Sequence, residues 1–336
     1  MLNGHGDDIY AHDNKIVSNF SSNVYNNLDL TKLEEYLCTH ISSIHSYPEP
    51  DAITLRKIIS RKLNISSGSI CVTNGATEAI YLIAQAFREA KTAVVIPTFS
   101  EYEDACRIQQ HRLYFIESLD EIEPDTKLVW ICNPNNPTGK IYDPDYLRDT
   151  ISSHPDIYFV IDQSYAGFTE QKVWSPDEAL QFNNVLLLHS LTKCYAIPGL
   201  RLGYITAPSE LIERISYYSM PWSVNQMAQL AGQYLLENEE YDLSESIEES
   251  RRVQNILSVT HGIEILPSEM HYFLCKLEKG KASDLKQYLI SKYGILIRDA
   301  SNFRGLTAGH FRIAIQSPEE NEQLINAIGE WIKLHC

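Results

Sequence analysis

Between residues 69 and 190 short apolar runs alternate with helical patterns, and that alternation restricts the chain to one broad class of fold. Strands are expected at 69 to 73, 92 to 96, 112 to 117, 127 to 132, 157 to 162 and 184 to 190, with helices at 76 to 89, about 99 to 109 and 144 to 153. Short apolar strands joined through helices indicate an α/β fold with a mainly parallel sheet covered on both faces. Ligands in such sheets gather at the carboxyl ends of strands, so chemistry is sought there first.

Outside that region the pattern differs. Residues 1 to 28 are rich in Asn, Asp and Ser without clear periodicity and read as an arm. Helices are expected at about 30 to 43 and 52 to 63, separated by the turn Tyr47-Pro48-Glu49-Pro50. Past Tyr204 come helices at about 209 to 218, 224 to 237 and 243 to 258, strands at 262 to 267 and 271 to 278, a helix at 281 to 293, strands at 295 to 299 and 310 to 316, and a closing helix from Glu319 to His335. The expected organisation is an arm (1–28), a large domain (29–208) and a smaller α+β domain (209–336), which the arm joins. A length of 336 residues suits such a pair better than one compact core.

Composition narrows the function classes. Hydrophobic residues at 44% and charged residues at 21% are ordinary for a soluble globular protein. A formal net charge of -16 without a basic stripe argues against a nucleic-acid partner. Neither a signal-like start nor an apolar run of membrane-spanning length is present, so a cytoplasmic protein with no membrane partner is expected. The seven cysteines, at 38, 71, 106, 132, 194, 275 and 336, form no C-x-x-C pair and read as reduced, mostly buried thiols. No metal site is expected.

The stretch from His189 to Tyr204 concentrates chemistry. An apolar strand runs into a turn with Ser190, Thr192 and Lys193, and Arg201 follows eight residues after the lysine. Two hydroxyls and a guanidinium can hold a phosphate dianion, and a lysine at a strand mouth is free to form a Schiff base. Gly75, Ala76 and Thr77 open a helix after a strand, where free amides suit an anion. Asn133-Pro134-Asn135-Asn136-Pro137-Thr138-Gly139 is a rigid loop able to aim an amide side chain. Asp162 follows five apolar residues and is costly to bury without a cation. Arg312 lies inside the apolar strand His310 to Ile315, where a bidentate fork suits a planar anion. Taken singly, each has a bland reading as a surface lysine, a capped helix, a tight turn or an edge arginine.

Together these stretches resemble the fold type I pyridoxal 5'-phosphate (PLP) enzymes, the aspartate aminotransferase superfamily. The resemblance implies that Lys193 bonds the cofactor and that Gly75, Ala76, Thr77, Ser190, Thr192 and Arg201 surround its phosphate. It further implies that Asp162 pairs with the ring nitrogen, that Asn136 and Tyr165 bond the ring hydroxyl, and that Phe99 stacks on the ring. Tyr47 would reach the phosphate of a neighbouring subunit, which makes a homodimer the expected assembly.

Two subfamilies compete. Tyr47-Pro48-Glu49-Pro50 and the length resemble histidinol-phosphate aminotransferases. The His5-Gly6 start with Asn19 to Asn23, the Lys193 to Tyr204 run, Pro221 to Asn225, and Ile295 to Arg298 with Ser301 to Leu306 look more like the L-threonine-O-3-phosphate decarboxylases of cobalamin synthesis. That resemblance implies that Arg312 holds a substrate carboxylate and Arg298 a phosphate, with Asn136, His5 and Asn23 contributing to the substrate site. The arm departs from the pattern, with Asp7 after Gly6 and Asn26 where a proline is expected. The expected reaction is decarboxylation of O-phospho-L-threonine, with amino transfer as the alternative and a non-catalytic PLP-binding regulator as the third reading.

Overall fold

The computed structural model describes residues 6–12, 15–25, 28–240 and 242–335. Its strands in chain order are β1 (Ser18–Asn19), β2 (Ile70–Thr73), β3 (Lys91–Val95), β4 (Arg112–Ile116), β5 (Leu128–Cys132), β6 (Tyr158–Asp162), β7 (Val185–Ser190), β8 (Gly203–Thr206), β9 (Ile263–Leu266), β10 (Tyr272–Leu277), β11 (Ile295–Leu296), β12 (Arg298–Asp299) and β13 (His310–Ala314). Seven of them form one sheet in the order β2-β8-β7-β6-β5-β3-β4. Within it β8 runs antiparallel to both neighbours, while the pairs from β7 to β4 are parallel.

The alternation of side chains along β5 shows why this sheet is covered twice. Leu128, Trp130 and Cys132 pack with Ile80 and Ile83 of the helix Gly75–Ala86 and with Tyr102 and Ala105 of the helix Glu101–Ile108. Val129 and Ile131 face the other way, toward Leu147 and Ile151 of the helix Pro144–Ser153. Each such buried aliphatic side chain contributes about 1.5–3 kcal/mol relative to exposure.

The strand expected at 295 to 299 divides at Ile297. β11 pairs in parallel with β1 of the arm, while β12 pairs with β13 in a second, antiparallel sheet of order β12-β13-β10-β9. Phe20, fully buried, carries the arm into the core of this sheet beside Ile295, Ile297, Phe311 and Ile313. Its carbonyl accepts from the Ala314 amide at 2.9 Å.

Helices beyond residue 208 share cores with elements that precede it. Leu211, Ile212 and Ile215 of the helix Ser209–Ser216 bury with Ile80 and Ile83. Ala228, Ala231 and Leu235 of the helix Gln226–Asn238 bury with Leu33, Leu55 and Ile59. Both helices therefore pack with the large domain, and the helix Ser244–Ser258 bridges the two parts, with Ile247 on one side and Val253 and Leu257 on the other. The change of pattern after Tyr204 marks a change of element type, and apolar periodicity alone does not say which core a helix face meets. No helix among the described residues is long and apolar enough to cross a membrane. Cys38 is exposed, whereas Cys71, Cys106, Cys132, Cys194 and Cys275 are buried free thiols.

Gly203 lets the sheet and the start of the helix Gly75–Ala86 meet. A Cβ there would stand 2.7 Å from the His189 carbonyl oxygen and 2.9 Å from the Ala76 amide nitrogen. Replacement by alanine has to push these backbones apart, so Gly203→Ala is expected to lower stability by about 1–3 kcal/mol in urea denaturation. An unchanged midpoint would show that the approach is not tight.

Candidate active site

Three neighbouring parallel strands bring their carboxyl ends to one edge. β5 hands over to the loop that starts at Asn133, β6 ends at Asp162, and β7 ends at Ser190, three residues before Lys193. Around this edge lies a cavity of about 120 Å³ lined by Ala76, Thr77, Phe99, Asn136, Asp162, Tyr165, Ser190, Thr192, Lys193 and Arg201. Most of the residues singled out for the cofactor thus share one wall. Gly75 stands just behind it with φ +77°, where a Cβ would lie 2.7 Å from Arg201 Nη2, so glycine answers both the backbone angle and the guanidinium.

Asp162 is buried and accepts from the Tyr102 hydroxyl at 2.7 Å and from the Ser164 amide at 2.8 Å. Burial pushes its carboxyl above the usual range, against these hydrogen bonds and the more distant Lys193 charge. Among the described residues it makes no ion pair, so a cation from outside the chain would complete it. Lys193 lines the cavity; burial first, then the Arg312 and Arg201 charges, bring its amine down to about 8 from an ordinary 10.5. At the phosphate end of the expected site the Ser190 and Thr192 hydroxyls lie 2.7 Å apart, and Arg201 is held by a bond from Nη1 to the Pro198 carbonyl at 3.0 Å. The first-turn amides of the helix Gly75–Ala86 have no acceptor within their own helix.

In the Asn133–Gly139 loop the three asparagines divide the work. Asn133 Oδ1 accepts from the Tyr142 amide at 2.9 Å, and Asn135 Nδ2 donates to the Pro97 carbonyl and the Thr138 hydroxyl at 2.9 and 2.8 Å. Those two brace the loop, which leaves Asn136 facing the cavity, where its Oδ1 accepts from Arg312 Nη1.

A larger cavity of about 580 Å³ adjoins the first, sharing Phe99, Asn136, Tyr165 and Lys193 with it and adding Asn23, Arg298 and Arg312. Arg298 and Arg312 are register partners on the antiparallel strands β12 and β13, so both side chains leave the same face of the sheet. Both are buried. Among the described residues Arg312 donates to Asn136 and to the Ser21 carbonyl at 2.6 Å, and its Nε finds no partner there. Burial, and then the neighbouring Arg312 charge, lower Arg298 to about 10. Its Nη2 donates to Asn302 Oδ1 at 2.9 Å, and its guanidinium lies 5.1 Å from the centroid of Phe303. Buried cations side by side favour an anionic ligand.

One expected residue stands elsewhere. Tyr47 lines neither cavity of this chain; it is 83% exposed, with its ring 5.0 Å from that of Trp222. His5 lies outside the described residues. Tyr102, Tyr272 and the pair Glu103–Arg304 were not foreseen. Tyr102 bonds Asp162, Tyr272 donates to the Asn135 carbonyl at 3.0 Å, and Arg304 grips Glu103 at 2.8 and 3.1 Å beside the larger cavity. A tyrosine on an apolar helix face or strand reads as core, and an ion pair spanning 201 residues leaves no local signal. Among the described residues no group of His, Cys, Asp and Glu could hold a metal ion.

Comparison with known proteins bears on the family. The family profile described as "Aminotransferase class I and II" matches residues 15–328. A threonine-phosphate decarboxylase of Salmonella typhimurium is 29% identical over 92% of this chain and 89% of its own, and a histidinol-phosphate aminotransferase of Caldanaerobacter subterraneus is 31% identical over 86% of each. The crystal structure of L-threonine-O-3-phosphate decarboxylase from Porphyromonas gingivalis matches with a TM-score of 0.92 and 37% identity, covering 94% of this chain and 100% of that one. The smaller cavity suits PLP on its own terms. A buried carboxylate lacking a cation, a buried amine brought down to about 8, and a cluster of hydroxyl, guanidinium and helix-start amides answer its ring nitrogen, aldehyde and phosphate. The chain belongs to the aminotransferase class I and II family and is a pyridoxal 5'-phosphate-dependent enzyme of fold type I.

Proposed function

We propose that this chain decarboxylates O-phospho-L-threonine to 1-amino-2-propanol O-phosphate. The observation that carries the reading is the in-register pair Arg298 and Arg312, two buried cations on one sheet face opening into the cavity that Lys193 also lines. Opposed residues on antiparallel strands stand about 4.5–5.5 Å apart at Cα. That spacing suits one short substrate carrying two anionic groups, a carboxylate and a phosphate separated by two carbons. The 37% identity to the Porphyromonas gingivalis decarboxylase supports the same choice.

In this reading Asp162 pairs with the cofactor's ring nitrogen, Asn136 and Tyr165 meet its ring hydroxyl, and Phe99 covers one face. Gly75, Ala76, Thr77, Ser190, Thr192 and Arg201 hold its phosphate. When bound, PLP supplies a carbonyl carbon for the substrate amine and a ring that accepts the electron pair released at Cα. Arg312 would hold the substrate carboxylate and Arg298 with Asn302 its phosphate, so that the Cα–carboxylate bond is the one presented for loss of carbon dioxide. Lys193, in its ammonium form once released, would give a proton to Cα and return to the neutral amine.

The histidinol-phosphate aminotransferase at 31% identity supports amino transfer as a second reading, in which Lys193 carries the Cα proton to the cofactor. For assembly we propose a homodimer. Exposed Ile41, Ile44 and Tyr47 on one segment adjoin exposed Tyr217, Met220 and Trp222 on another, joined by the Tyr47–Trp222 contact and by the bond from the Trp222 amide to Pro50. A second copy over this face would cover the apolar side chains and bring Tyr47 toward its partner's site.

Incubation of the PLP-loaded enzyme with O-phospho-L-threonine and no oxo acid is expected to yield aminopropanol phosphate over many turnovers, read by NMR. No product there, with amino transfer from histidinol phosphate to 2-oxoglutarate in a parallel tube, would overturn the decarboxylase reading in favour of the second. Arg298→Leu should raise KM for O-phospho-L-threonine by roughly 10- to 100-fold, the loss of charge-assisted bonds, with a smaller effect on L-threonine. Equal losses on both substrates would contradict the phosphate role. Cofactor loading requires neutral Lys193, whose fraction grows as pH rises through about 8. The rate at which apoenzyme takes up PLP should therefore climb to a plateau just above that pH. Arg312→Leu removes a neighbouring cation, which raises the amine's pKa and moves the midpoint upward.

A further inference from the structure

The cofactor is expected to meet Tyr165, and the direction of the Tyr165 phenol proton depends on what else bonds its oxygen. Asn23 Nδ2 donates to that oxygen at 3.2 Å. One lone pair is thereby used, and the phenol's own O–H is left to point into the cavities that Tyr165 lines. Asn23 lies in the arm outside any regular element, so something must hold it. Its carbonyl oxygen lies 3.0 Å from His271 Nε2. A carbonyl only accepts, so Nε2 carries the hydrogen and Nδ1 is the bare nitrogen, buried without a partner.

His271 is fixed in turn by stacking on Phe168, with ring centroids 3.8 Å apart and planes 24° from parallel. Phe168 follows β6 in the large domain and His271 directly precedes β10 in the small one, so the stack joins the two parts behind Tyr165. Burial brings the His271 imidazole down to about 3, so it stays neutral and exchanges no proton in the working range. Geometry is what remains for it to contribute. The arm also touches the lysine turn, where the Tyr25 amide donates to the Lys193 carbonyl at 3.0 Å.

We infer that His271 is a positioning residue for the cofactor site: it clamps the Asn23 carbonyl, and Asn23 sets the Tyr165 hydroxyl to donate toward the ring oxygen. The inference rests on the placement of the ring beside Tyr165 proposed above. A donor at the ring oxygen holds negative charge there and favours loss of the proton at the lysine linkage, so weakening it raises the pH midpoint of the absorbance of bound PLP.

The test compares those midpoints in PLP-loaded variants. Tyr165→Phe removes the donor itself and should raise the midpoint. His271→Phe keeps a ring on Phe168 but deletes the N–H; it should shift the midpoint the same way by about 0.5 unit or more, with no further shift in the double variant. His271→Gln, which retains an N–H at similar reach, should stay nearer the wild type. A wild-type midpoint in His271→Phe beside a shifted Tyr165→Phe overturns the inference while leaving the ring placement standing. A wild-type midpoint in Tyr165→Phe overturns the placement and the inference with it. Should His271→Phe fail to fold, Asn23→Leu breaks the same relay at its second member, and an unshifted midpoint there overturns it equally.

Discussion

The site rests on buried groups that, among the described residues, are hydrogen-bonded but make no ion pair. Asp162 lies under the sheet edge with two hydrogen-bond donors and no cation, while Arg312 faces the adjoining cavity with neutral acceptors and one empty N–H. Leaving an ionised group dehydrated and unpaired costs several kcal/mol, and a chain of ordinary stability has only about 5–15 kcal/mol in all. The protein carries this burden in a frame of densely packed apolar layers on both faces of the sheet. What the frame holds apart, a ligand of opposite charge restores, so cofactor and substrate complete the electrostatics that the chain leaves open.

The geometry that keeps these groups in place comes from parallel pairing. β5, β6 and β7 lie side by side with residues in register, Cys132 beside Asp162 and Asp162 beside Leu188, so one edge of the sheet sets the relative height of the Asn136 loop, the carboxylate and the lysine turn. The small sheet adds its two arginines through an equally strict register between β12 and β13. The larger cavity is thus lined from both sheets, and the arm, with Asn23 and Ser21, fills the seam.

Much of this was legible in the chain. Prolines and glycine around Asn136, hydroxyls before Lys193, and an aspartate after an apolar strand are local signals, and local signals survive folding. Which asparagine of the loop faces the cavity was given by resemblance alone, since the bracing roles of Asn133 and Asn135 depend on Tyr142, Pro97 and Thr98. Less visible were pairings made at long range. Tyr102 reaches Asp162 across 60 residues and Glu103 meets Arg304 across 201, and neither carries a pattern that separates it from a core tyrosine or a solvated glutamate. The fate of the helices Ser209–Ser216 and Gln226–Asn238 was hidden for a related reason: an amphipathic face states that it will be covered, and only the packed chain states by which core.

The two-residue pairing of β1 with β11 has a consequence for how the molecule is made. Ser18 and Asn19 align with Ile295 and Leu296, and Phe20 bonds Ala314, so the arm finds its partners in segments synthesised long after it. At about 5–20 residues per second of synthesis, the arm waits on the order of tens of seconds for them. Through that interval Asn23 has no His271 to grip, and a PLP-binding edge assembled early from β5, β6 and β7 would lack its seam. The arm thus takes its place only once the segment from His271 to Ala314 has been made, which ties its final geometry to that stretch of the polypeptide.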